Sequence, residues 1–316
     1  VLVLVAPGQG AQKPGFLTPW LDLPGVTERL RDWSAAIDLD LVHYGTEAGA
    51  EEIRDTAVAQ PLLVAAALVS TAALLDGHEA PHVLGATAGH SVGELAAAVT
   101  AGVFPAETAM SLVRTRGAAM AEAAGVTETG MSAVLGGEQE AVTAHLERLG
   151  LTPANINGAG QIVAAGTAEQ LAALAADKPE GARVIPLKVA GAFHTRHMAP
   201  AVDTLEAAVK DVAVSDPAIR YVSNRDGEVV ASGAEVVRRL VGQVANPVRW
   251  DLCMETFQAL GVTTLIEVCP GGTLTGLAKR ALPGVRTLAL KSTDDLEAAR
   301  ALVAEHAAAA GQEPRA

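Results

Sequence analysis

The stretch HVLGATAGHSVGELAAAV, residues 82–99, restricts the fold more than any other part of the chain. An apolar run ends in glycine, a histidine and a serine follow, a second glycine comes at Gly93, and an alanine-rich helical pattern starts soon after. A strand delivered into a helix through so few residues opens a βα unit. Such units build parallel sheets, because the next parallel strand must be reached by a crossover. The chain itself opens on a similar pattern. VLVLVA, residues 1–6, is apolar at every position, as a strand covered on both faces must be, and the glycine-rich turn PGQGAQKPG follows. Residues 59–76 read as a long buried helix, 82–89 as a strand, 92–102 as a helix, and Glu107 to Ala124 as another helix closed near Gly125. This alternation predicts an α/β layer architecture.

The pattern changes between residues 128 and 190. MSAVLG reads as a strand, EQEAVTAHLERL as a helix, PANIN and QIVAAG as two strands, AEQLAALAAD as a helix and ARVIPLKV as a strand. That βαββαβ order is the ferredoxin-like split arrangement. Beyond it the α/β pattern resumes with a helix from Met198, the strand IRYVSN, and helices near 234–245 and 250–260. The strand TTLIEV, the helix TLTGLAKRAL, the strand RTLAL and a last helix from Asp294 follow, and the tail GQEPRA is expected to fray. The expected organisation is an α/β-hydrolase-like large domain with a parallel sheet, residues 1–127 and 191–316, carrying an inserted ferredoxin-like small subdomain, residues 128–190.

Composition narrows the function classes. With 316 residues, 50% hydrophobic and 19% charged, the chain can bury a large core. Aromatics at 3% offer few platforms for stacking bases, and a net charge of −13 argues against nucleic acid or an anionic membrane as partner. Two cysteines, Cys253 and Cys269, allow no disulfide framework and lack zinc-site spacing. VLVLVA has no basic flank and is too short to span a bilayer, so a cytoplasmic location is expected.

Gly89-His90-Ser91-Val92-Gly93 fits G-x-S-x-G at a strand-to-helix turn, where a nucleophile elbow exposes its serine. The Val92 N–H and the positive end of the helix can then stabilise an oxyanion. The same residues also read as a cap, with Ser91 as N-cap and Glu94 closing a capping box. The strand–turn–helix setting favours the elbow. A serine hydroxyl needs a base. Of eight histidines, His43, His78, His82, His145 and His306 fall in loops or on polar helix faces, and His90 is expected to point away from its neighbour Ser91. His194 and His197, in GAFHTRHM, follow a strand, and spacing does not choose between them; no carboxylate or cysteine stands near enough in sequence to complete a metal site. PGQG is not a dinucleotide loop, since Lys13 replaces the third glycine and no G-K-[ST] occurs.

PGQGAQ, GHSVGE, GAFHTRHM and QVANPVRW, in this order and spacing, resemble the malonyl-CoA:acyl-carrier-protein transacylases and the acyltransferase domains of polyketide synthases. The likeness runs nearly end to end. It implies Ser91 as acyl acceptor, His194 as its base, and Gln243 as the residue whose backbone carbonyl orients the histidine. It implies the N–H groups of Gln9 and Val92 as oxyanion donors and Arg116 as the cation that holds the malonyl carboxylate. Phe193 matches the bulky residue of malonyl-selective members, and Gln60, His90 and Asn157 match positions near the family's site. Arg114 is expected to be solvated or salt-bridged. The implied reaction is ping-pong transfer of malonyl from malonyl-CoA to the phosphopantetheine thiol of acyl carrier protein, feeding fatty-acid or polyketide synthesis. It requires no metal or bound cofactor, CoA thioester being the substrate, and a monomer is expected. Carrier protein and CoA are both acidic, so docking calls for a local basic patch, with Lys188, Arg196, Arg220, Arg225, Arg249, Lys279 and Arg280 as candidates. A serine thioesterase and a non-catalytic carrier-docking module share these features, although the full Ser91, His194 and Arg116 set speaks against the latter.

Overall fold

The computed structural model describes residues 1–311; the tail expected to fray lies outside the described residues from Gln312 on. In chain order the strands are β1 (Leu2–Ala6), β2 (Ala86–Gly89), β3 (Thr129–Gly136), β4 (Thr152–Gly158), β5 (Gln161–Thr167), β6 (Ala182–Pro186), β7 (Arg220–Val222), β8 (Val229–Val230), β9 (Val248–Arg249), β10 (Thr264–Glu267) and β11 (Arg286–Ala289). The helices are α1 (Val26–Ile37), α2 (Leu41–Thr46), α3 (Thr56–Leu75), α4 (Ala80–Val83), α5 (Gly93–Thr100), α6 (Ala106–Ala124), α7 (Gln139–Arg148), α8 (Ala168–Ala176), α9 (Ala199–Val209), α10 (Gly233–Gln243), α11 (Trp250–Ala259), α12 (Thr273–Ala281) and α13 (Leu296–Ala310).

The large sheet runs β11-β10-β1-β2-β7-β8. Its first five strands are parallel and β8 returns antiparallel to β7. β1 lies at its centre, and the side chains of its apolar run divide between two layers. Leu2, Leu4 and Ala6 join the core under α3, α5 and α6, while Val3 and Val5 join Trp250, Phe257, Leu274 and Leu277 of α11 and α12. Each fully buried aliphatic side chain of this kind is worth about 1.5–3 kcal/mol. Among the described residues α3 is the one helix long and apolar enough to cross a membrane, and it lies in this core against α6 and α5.

The small sheet runs β6-β3-β5-β4-β9. Its first four strands are antiparallel, the ferredoxin-like order that βαββαβ connectivity predicts. The fifth is a surprise. β9 comes from beyond the insert and pairs parallel with β4, matching Asn155 to Val248 and Ile156 to Arg249. Other differences are local. The expected strand from His82 begins only at Ala86, because Pro81 sits at N1/N2 of the short α4. α3 starts at Thr56, where Asp55 accepts the Ala57 N–H as a cap. The stretch before it, to which no element is assigned from sequence, holds α1 and α2.

Candidate active site

Ser91 stands between β2 and α5 with φ of +53°, a left-handed conformation that is strained for any residue bearing a Cβ. The flanking glycines make that turn possible. A Cβ on Gly89 would collide with the backbone of Gly93, and one on Gly93 with the carbonyl of Ala6. The capping-box alternative does not form: the N-cap of α5 is Val92, without a side-chain cap, and Ser91 Oγ lies 2.7 Å from His194 Nε2.

His194 rather than His197 meets the serine. It too has a positive φ, +62°, and the end of α10 holds it there. The carbonyl of Gln243 accepts from its Nδ1 at 2.8 Å and that of Val244 accepts its backbone N–H at 2.9 Å. Carbonyls in the last turn of a helix lack intrahelical donors and carry the negative end of the macrodipole. They fix the tautomer with the Nε2 lone pair toward Ser91 and favour a positive ring. Burial, and then the Arg116 cation, nevertheless push the imidazole down to about 3, the Gln243 carbonyl opposing them. His197 lies on a short 3₁₀ turn, its N–H donating to Thr195 Oγ1.

Arg116, 3% exposed, extends from α6 into the same cluster. Its Nη1 donates to Gln60 Oε1 at 2.8 Å, and its Nη2 donates to Gln243 Oε1 at 2.7 Å and to Ser91 Oγ at 3.3 Å. No carboxylate comes within ion-pair distance of it among the described residues. Neutral amides thus orient the guanidinium without cancelling its charge. Burial pulls it down to about 10, so it stays cationic near neutrality. Arg114 departs from expectation, capping α1 through the carbonyls of Ile37 and Asp38 at 3.0 and 3.4 Å.

A cleft at this cluster is lined by Gln9, Gln60, His90, Ser91, Val92, Arg116, Asn155, Phe193 and His194, among others. Gln9 is anchored by its side chain, Nε2 donating to Thr56 Oγ1 at 3.1 Å. Among the described residues neither its backbone N–H nor that of Val92 has an internal acceptor. His90 turns away from the serine and joins Asn157 Oδ1 at 2.8 Å, and Asn157 Nδ2 donates to Gln161 Oε1 at 2.8 Å. Phe193, 6% exposed, forms part of the wall.

The sequence reading missed Asn224. It is fully buried, and its Oδ1 accepts the Ser91 N–H at 2.9 Å while its Nδ2 donates to the Gly89 carbonyl at 2.7 Å. The elbow is held from both ends by one amide. Its own N–H donates to Glu94 Oε1 at 2.6 Å, and Tyr221 Oη donates to Glu94 Oε2 at 2.8 Å.

The model of the acyl transferase domain matches residues 3–304. The chain belongs to this family. Among its relatives, the malonyl CoA-acyl carrier protein transacylase of Mycobacterium tuberculosis is 51% identical over 302 residues, spanning 94% of this chain and 98% of that protein. The crystal structure of MCAT from Mycobacterium tuberculosis superposes with a TM-score of 0.89 at 51% identity, covering 95% of this chain and 99% of the other. A type II PKS acyl-carrier protein in complex with its malonyl-transacylase matches with a TM-score of 0.87 at 31% identity, over 95% and 99% of the two chains. This acyltransferase therefore shares both sheets and the helices around them with solved members of its family.

Proposed function

We propose that this acyltransferase moves the malonyl group of malonyl-CoA to the phosphopantetheine thiol of an acyl carrier protein, through a malonyl ester on Ser91. One observation carries the reading: a buried guanidinium, held by two neutral amides and lacking a carboxylate partner among the described residues, has Nη2 3.3 Å from the serine oxygen. Such a site is built for an acyl chain that ends in a carboxylate, because planar guanidinium and carboxylate meet through two parallel hydrogen bonds. An acetyl group leaves that cation unpaired and desolvated, which discriminates more strongly than a change of pocket size.

In this reading the malonyl carboxylate pairs with Arg116, and His194 Nε2 takes the Ser91 proton as Oγ bonds to the thioester carbon. The tetrahedral oxyanion rests on the N–H groups of Gln9 and Val92. The carbon–sulfur bond breaks and the CoA sulfur receives the proton from His194. The carrier thiol then gives its proton to His194 and attacks the ester, and Ser91 leaves with that proton. The substrate assists the base, since a carboxylate on Arg116 offsets the cation that depresses His194. Phe193 limits the room beside the malonyl α-carbon. Lys188, a basic candidate, stands in the chain between the cleft-lining Leu187 and Val189. Residues 1–127 with 191–316 supply Ser91, His194 and Arg116, and residues 128–190 form the insert whose Asn155 helps to line the cleft.

Malonyl-CoA without carrier protein is the test. A burst of CoA equal to the enzyme concentration, followed by a halt, supports transfer. Steady release at the burst rate would make the protein a thioesterase instead.

A further inference from the structure

Glu94 is a buried ionisable group beside the site with no part in the transfer scheme above. It lies three residues after Ser91 in the first turn of α5 and is 1% exposed. A carboxylate at this position could have capped its own helix, yet both oxygens point elsewhere. Oε1 accepts the N–H of Asn224 and Oε2 the hydroxyl of Tyr221. Asn224 is the amide that fixes the elbow at Gly89 and Ser91, so Glu94 holds the residue that holds the nucleophile. On the other side its charge is felt by Arg116: each ion favours the charged form of the other, without direct contact.

A second cleft reaches Glu94. Glu94, Ser223 and Gln243 contribute to its lining, together with Arg225, Arg239 and Arg249. Glu94 can therefore exchange its proton with solvent through this cleft.

We infer that Glu94 is a positioning residue for acyl transfer: its anion fixes the elbow through Asn224 and balances Arg116 until the malonyl carboxylate arrives. The inference rests on the roles proposed for Ser91, His194 and Arg116. It gives the empty site a counter-charge that is offset from the guanidinium, so the cation is stabilised while its binding face stays open. With Glu94 neutral, Arg116 would depress His194 further and the elbow would lose an ionic anchor.

The charged and titratable groups around Glu94 are Arg116 from α6, Tyr221 from β7, Cys253 from α11, and Glu206, Arg225, Arg238, Arg239 and Arg249 beside the second cleft, with His194 across the guanidinium. Burial pushes Tyr221 and Cys253 well up, so both stay neutral, and His194 at about 3 is neutral as well. Burial lifts Glu94 to about 7, the Tyr221 and Asn224 hydrogen bonds opposing it. Glu94 is thus the group expected to give an inflection near neutral pH in the acylation step.

Single-turnover acylation by malonyl-CoA, followed as the mass adduct on the whole chain across neutral pH, tests the inference. The wild-type rate should rise with pH through an inflection near 7 as Glu94 becomes the anion. Glu94→Gln keeps an acceptor for Asn224 and a group to bond Tyr221, but removes the charge. It should lose the inflection and run about tenfold slower at alkaline pH. Tyr221→Phe retains the carboxylate and removes one donor to its anion, so the inflection should move to higher pH. That variant decides the matter if Glu94→Gln fails to fold. An unmoved inflection in Tyr221→Phe, or a Glu94→Gln protein that keeps both inflection and rate within about twofold, overturns the inference. A wild type with no adduct overturns the Ser91 reading and this inference with it; an adduct with unchanged variant profiles overturns the inference alone.

Discussion

Two strand–turn–helix units flank β1 in the large sheet, β2 with α5 on one side and β10 with α12 on the other, and they use their helix N-termini in opposite ways. At the second, the fully buried Glu267 accepts the N–H groups of Gly272, Leu274 and Thr275 at 2.8, 3.1 and 2.9 Å. Its carboxylate fills the positive end of α12 and takes three of the donors there. At the first, the carboxylate of Glu94 is turned aside to Asn224 and Tyr221, no side chain caps the helix, and Val92, whose N–H has no internal acceptor among the described residues, lines the cleft. One architecture yields a structural lock where the carboxylate caps and a reactive site where it does not. The strained serine is tolerated at the open end because Asn224, His194 and Gln243 hold the turn from outside.

The comparison breaks most visibly at Ser91. Ser91→Gly should lower malonyl transfer by about 10⁴-fold or more, and it should stabilise the fold by about 1 kcal/mol because glycine accepts the positive φ without strain. Steady-state transfer assays and urea unfolding measure the two effects, and retained transfer would remove the distinction between the units. Arg116→Ala should cost about 10³-fold in kcat/KM for malonyl-CoA while acetyl-CoA turns over as well as before or better. An unchanged malonyl preference would mean that another cation holds the carboxylate.

Glu267→Ala addresses the locked unit. It leaves three N–H groups at the start of α12 without acceptors and should cost about 2–4 kcal/mol in urea unfolding. Transfer per folded molecule should change by less than about twofold, whereas a large loss of kcat would show that the two units are not independent.

The smallest effect concerns stability against pH. Glu94, raised from 4.5 to about 7, holds a proton in the folded state that the unfolded chain has already released. Its contribution is complete below pH 4.5 and is lost as pH rises through 7. His194, lowered from 6.5 to about 3, has the opposite sign: its contribution is present above pH 6.5 and is lost as pH falls through 3. Between pH 4.5 and 6.5 the two slopes oppose each other. In Glu94→Gln only the histidine slope remains, so unfolding free energy should climb with pH more steeply than in the wild type. Parallel curves would contradict the assigned burial of Glu94.

Much of the fold is legible in local pattern. β1 reads as doubly covered because each residue is apolar, and the insert reads as ferredoxin-like because its strands and helices alternate in one order. α1 was also within reach, since Val26, Leu30, Trp33 and Ile37 recur at helical spacing and all are buried. β8 and β9 were not, because two-residue strands are defined by their partners rather than by their own sequence. The site divides in the same way. Ser91 is announced by its glycines, whereas the choice of His194 over His197 depends on where α10 ends. Asn224, in the turn after β7, and the side-chain roles of Gln60 and Gln243 leave no trace in spacing, because each acts across more than fifty residues of chain on a group that only the fold brings near.

The most direct measurement is to map the acyl group. The protein is treated with malonyl-CoA, digested and read by mass spectrometry, and a second sample receives holo acyl carrier protein before digestion. The account predicts a malonyl adduct on the peptide that contains Ser91, discharged onto the carrier thiol in the second sample. An adduct on another residue, or carrier protein that becomes malonylated while Ser91 is never modified, would contradict it.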